Sequence, residues 1–77
     1  MDNFGLVEKT IKEALSDAQI NIYDLGGGNH IRVEVISSNF EGKSLVQQHK
    51  MVHDILDHQM EFNGGFIHAL SIKTSKP

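Results

Sequence analysis

The chain has 77 residues, ten acidic side chains against seven basic ones and a formal net charge of −3, enough for one small domain around one core. It contains no cysteine, which excludes disulfides, thiolate catalysis, Cys-ligated zinc and a self-contained Cys-ligated iron–sulfur cluster. Any metal or cluster must use histidine or carboxylate ligands here, and any thiolate ligand would come from a partner.

Phe4, Val7, Ile11, Leu15 and Ala18 fall at spacings of three and four, the stripe of an amphipathic helix. Asp2 or Asn3 suits its N-cap, and the pattern predicts an end near Ala18 or Gln19. Ile20 to Leu25 alternates as a short strand, Gly26-Gly27-Gly28-Asn29 is a loop, and His30 to Ile36 is a second strand with Ile31, Val33 and Val35 on one face. The two strands form an antiparallel hairpin. A phosphate-cradling glycine loop would lead into a helix, whereas this one leads into a strand. Asn39 to Lys43 is a turn. Ser44, with Gln47 three residues later, fits a capping box opening a helix that runs to about Met60, where Leu45, Val52, Leu56 and Met60 form the buried stripe. Asn63-Gly64-Gly65 ends it, and Phe66 to Thr74 reads as the third strand.

The order α-β-β-α-β, with the second helix open to a split, predicts an α+β fold with a three-stranded mixed sheet covered by helices on one face. A helical crossover makes the second and third strands parallel. His30 and His68 then lie at the same sheet end. Alternation conflicts with this, grouping His68 with Leu70 and Ile72 and His30 with Arg32 and Glu34. In the apolar run Phe66-Ile67-His68-Ala69-Leu70-Ser71-Ile72, the general expectation is a core histidine bonded to backbone.

Other motifs carry less. His49 and His53 share a helix face but lack the glutamate of an HExxH zinc pattern, and His49 falls on the apolar stripe, which favours packing. No serine or cysteine nucleophile stands in a catalytic context, so no enzyme activity is expected. Residues 40–60 could be read as a helix-turn-helix, but His49 to Glu61 would make a poor recognition helix, with one lysine, Lys50, against Asp54, Asp57 and Glu61. The KH-type Gly-x-x-Gly grip on RNA is missing, since Gly42-Lys43-Ser44-Leu45 has no second glycine. Asp2 and Glu8 spoil the basic region of a secretory leader, and no segment approaches a membrane span. A single cytoplasmic domain over residues 1–77 is the expectation.

Phe40-x-Gly42-x-Ser44, His49-Lys50-Met51-Val52 and Ile67-His68-Ala69-Leu70-x-Ile72-x-Thr74 together resemble the signature of BolA-like proteins, and Gly28-Asn29-His30 is similar to the YrbA/IbaG branch. The resemblance runs from the first helix to Thr74. It implies a class II KH-like fold without the RNA-gripping loop. It also implies partnership with a monothiol glutaredoxin, with a [2Fe–2S] cluster shared between them. The glutaredoxin cysteine and a glutathione thiolate would hold one side of the cluster. The family's ligands, a last-strand histidine and a His or Cys in the first hairpin loop, are matched by His68 and His30. Histidine ligation implies binding that weakens as pH falls and the rings protonate. Gly27, Gly28 and Asn29, with Lys43, His49 and Lys50 at the front of the second helix, would form the docking surface. The chain alone would be a monomer or weak homodimer. The family is also described as DNA-binding transcriptional regulators, the alternative function, against which the acidic charge stands.

Overall fold

In the computed structural model, which describes residues 2–77, the chain folds as α1 (Asn3–Ala14), β1 (Gln19–Gly26), β2 (His30–Ile36), α2 (Leu45–Ile55) and β3 (Ala69–Ser75). Single 3-10 turns at Ser38–Phe40, Asp57–Gln59 and Glu61–Asn63 fill the connections. The sheet has the order β1-β2-β3, with β1 antiparallel to β2 and β2 parallel to β3, as the crossover requires. Ile31, Val33 and Val35 of β2 are buried among Val7 and Ile11 of α1, Val52 of α2, Phe40, Leu56 and Ile67. Arg32 and Glu34 alternate with them onto the uncovered face, where Arg32 Nε meets Glu34 Oε2 at 3.1 Å. No helix among the described residues is long and apolar enough to cross a membrane.

Both helices end earlier than their apolar periodicity predicts. In α1 the Asp2 carboxylate accepts from the Gly5 amide, but the helix stops at Ala14, and Leu15 turns away at φ −128° and ψ 86°. Leu15 and Ala18 still reach the core, so the stripe is right about burial and wrong about conformation. The cause is Asp17. Its carboxylate accepts from Ser37 Oγ at 2.7 Å, Ser38 Oγ at 2.7 Å and the Ser38 amide at 2.8 Å, tying the end of α1 to the turn after β2.

The capping box of α2 is complete: Ser44 Oγ accepts from the Gln47 amide, and Gln47 Oε1 accepts from the Ser44 amide. Its buried stripe runs through Gln48, Val52 and Leu56, while Leu45 is 63% exposed. Leu45 and His49 are therefore off the buried face, contrary to the apolar pattern. Gln48 is satisfied at both ends of its amide. Its Nε2 donates to the Lys43 carbonyl at 2.9 Å, and its Oε1 accepts from Thr74 Oγ1 at 2.6 Å. These bonds remove the cost of burying it.

Beyond Ile55 the chain does not continue as helix to Met60. A Cβ on Gly65 would lie 2.2 Å from the backbone of Gln59, so this stretch folds back in close contact with itself. Met60 is extended and bridges Ile67 in parallel, with the Glu61 amide donating to the Ile67 carbonyl at 2.8 Å and the Ile67 amide to the Gln59 carbonyl at 2.9 Å. As a result β3 begins at Ala69 rather than Phe66, and His68 lies in the bend before it.

The hydrogen bonds from Ser38 and Ser37 hold the Asp17 carboxyl far below the ordinary carboxylate value of 3.8. A group whose folded pKa is depressed stabilises the fold above its unfolded pKa, and that contribution fades as pH falls through the folded value. Asp17→Asn is expected to lower the thermal midpoint at pH 7. The gap to the parent protein should narrow below about pH 4, as thermal melts followed by far-UV circular dichroism would show.

Candidate functional site

Parallel pairing sets Ala69 beside His30, so β2 and β3 begin at the same sheet end. The approach to β3 is clamped onto the residue before His30: the His68 amide donates to the Asn29 carbonyl at 2.8 Å and the Ala69 amide to the same oxygen at 3.2 Å. The two imidazoles stack, their centroids 5.1 Å apart and their planes 13° from parallel.

The His68 side chain is 55% exposed, so it is not a core histidine. Alternation misleads here because His68 precedes the strand. Ile67, tied to Gln59 and Glu61, takes the inward position at 0% exposure and the next side chain swings out. His68 Nδ1 lies 2.8 Å from Glu61 Oε2. Sequence reasoning missed Glu61, which stands at no regular spacing from His68. The only signal is the Gly64-Gly65 reversal between them, where Gly64 takes a left-handed φ of 88°.

The hairpin loop is also ordered by a residue that sequence reasoning passed over. Asp24 Oδ1 accepts from the Gly26 amide at 2.8 Å and the Gly28 amide at 3.1 Å. Gly27 and Gly28 have φ of 68° and 75°, which favours glycine at both. Gly27, Gly28 and Asn29 therefore flank the histidine pair.

The front of α2 does not. The Gln48–Thr74 bond fixes it near the C-terminal end of β3. Some 17 Å of strand separates Ala69 from Thr74. Lys43 therefore belongs to the far end of the sheet. His49 is half-buried and lines a shallow groove between α2 and the edge strand β3, with Val46, His53, Leu70 and Ile72. Lys50, also on that groove, pairs with Asp54 at 2.9 Å, and this hydrogen bond raises its pKa.

Imidazole nitrogens suit iron and zinc, and paired histidines serve one iron in Rieske centres. The donor set at the sheet end fits such a metal but is incomplete. Among the described residues no three His, Cys, Asp or Glu side chains are grouped to hold an ion by themselves.

Fold and site together describe a KH-like α+β domain that carries an exposed imidazole pair at the shared start of two parallel strands. The family model described as BolA-like protein matches residues 8–77. Protein BOLA2 of Arabidopsis thaliana is 38% identical over 72 residues, covering 91% of this chain and 73% of that protein. BolA-like protein 1 of Homo sapiens is 35% identical over 79 residues, covering 92% of this chain and 56% of the human one. The solved structure of BolA1 from Arabidopsis thaliana superposes with a TM-score of 0.84 at 26% identity, covering 100% of this chain and 94% of that one. The chain belongs to the BolA-like protein family.

Gly65 sets the turn that carries Glu61 to His68. Gly65→Ala forces its new methyl into the Gln59 backbone. The variant is expected to lose about 1–3 kcal/mol of stability in urea titrations, a usual cost of overpacking. The amide resonances of Glu61 and His68 should move with it.

Proposed function

We propose that this chain is a non-enzymatic adaptor that docks on a monothiol glutaredoxin and shares or passes on a [2Fe–2S] cluster. The observation that carries this reading is the His30–His68 pair: two exposed imidazoles from different elements, 5.1 Å apart, which among the described residues form no three-ligand group able to hold an ion alone. Membership of the family supports it.

His68 is the principal ligand and His30 the second. The glutaredoxin cysteine and a glutathione thiolate supply the sulfur ligands that a cysteine-free chain cannot offer. Held against the Asn29 carbonyl, the His68 backbone keeps its ring at the exposed sheet end. Gly27, Gly28 and Asn29 form the rim against which the partner closes, and the groove at His49 and Lys50 extends the contact along the edge of β3. Lys43 stands apart from both. DNA binding has less support, because Asp54 takes up the charge of Lys50 on the helix that would have to meet phosphate.

Mixing the protein with cluster-loaded glutaredoxin and recording visible absorption and circular dichroism tests the reading. His68→Ala is expected to alter the cluster bands of the complex and His30→Ala to alter them less. Spectra indifferent to His68→Ala would sink the ligand assignment. Glutaredoxin binding that ignores both histidines would point to protein interaction without a shared cluster.

A further inference from the structure

Glu61 has no part in the ligand set above, yet its carboxylate is the partner of the principal ligand. Hydrogen bonds hold both sides of this contact. On one side, the Met60–Ile67 bridge fixes the start of the Glu61–Asn63 turn, and Asn63 Nδ2 donates to the Asp57 carbonyl at 2.9 Å and to Asp57 Oδ2 at 3.1 Å. On the other, the His68 amide is bound to the Asn29 carbonyl. Glu61 and His68 therefore meet because two anchored segments meet.

An ionised carboxylate can only accept a hydrogen bond. A neutral His68 must then carry its proton on Nδ1, with the free lone pair on Nε2. A histidine without such a partner favours the opposite form, protonated on Nε2. His30 meets the ring by its face and does not compete for the edge at Nδ1.

The geometry points to Glu61 as the positioning residue of the site: it selects the Nδ1–H tautomer of His68 and so presents Nε2 as the ligand atom. Carboxylate–histidine pairs of this kind orient metal-binding imidazoles and raise their basicity. The inference deepens the proposed function and rests on it for its purpose, but its first test needs no cluster.

Nitrogen-15 NMR of the metal-free chain, at a pH where the ring is neutral, distinguishes protonated from unprotonated ring nitrogens. The parent protein is expected to show His68 protonated at Nδ1. Glu61→Ala is expected to shift the ring towards Nε2–H while the His68 amide resonance, set by Asn29, stays in place. The Glu61 side chain is 58% exposed, so its removal leaves the core intact. An Nε2–H ring in the parent, or a tautomer unchanged in Glu61→Ala, overturns the assignment.

A second arm measures cluster retention by the complex with glutaredoxin. Glu61→Ala should weaken it by about 10- to 100-fold, as loss of such a partner does elsewhere. If the tautomer switches while retention holds, and His68→Ala still abolishes retention, the positioning role is wrong. If retention also ignores His68→Ala, the ligand reading has failed, and the tautomer result stands by itself.

Discussion

Two parallel strands cannot be joined by a tight turn, so the pairing of β2 with β3 demands a long crossover, and most of the architecture follows from that demand. Residues 37–68 make the connection. They lay α2 across one face of the sheet, where Val52 and Leu56 close the core over Ile31, Val33 and Val35, and leave the other face uncovered. The same connectivity brings the starts of β2 and β3 together. His30 and His68 are neighbours because the chain is threaded in parallel, and nothing in the local sequence around either residue requires it.

The two ends of the sheet are built differently. At the far end, polar locks join all the elements: Asp17 binds Ser37 and Ser38, Gln48 binds Thr74, and the Ser37 amide donates to the Ser75 carbonyl at 3.1 Å. Gln48 and Thr74 are buried there, so their bond is shielded from competing water. At the histidine end the backbone is tied through Asn29, while the side chains of His30, Glu61 and His68 stay at the surface. Rigidity is supplied from one end and access is kept at the other, which is the arrangement a docking site requires.

Features governed by short-range rules were legible in the sequence. The capping box at Ser44 and Gln47, the span of β2 and the hairpin at the glycine loop all obey local chemistry. What escaped was decided across the fold. α1 stops short because Asp17 is drawn to residues some twenty positions away. Leu45 and Gln48 both fit the helical register of the buried stripe, and hydropathy favours Leu45. A hydroxyl on β3 with an amide to meet reverses that preference. His68 was placed at the correct sheet end by topology and on the wrong face by alternation. Alternation holds only inside a strand, and the start of β3 is set by the Met60–Ile67 bridge, which leaves no mark in the spacing.

The exposure of the histidine pair bears on why imidazoles stand there. A histidine kept for stability should be buried with internal partners. Here the side-chain contact between His68 and Glu61 joins two groups that are each more than half exposed, 55% and 58%, and pairs of that kind contribute little to folding. The bonds that hold this corner together run from the backbone amides of His68 and Ala69 to Asn29, and any residue but proline supplies them. The fold thus makes almost no use of either ring, which leaves both free for the proposed ligand role. Under the proposed function, imidazole nitrogens from this chain would stand opposite thiolates from the partner, since the sequence contains no cysteine.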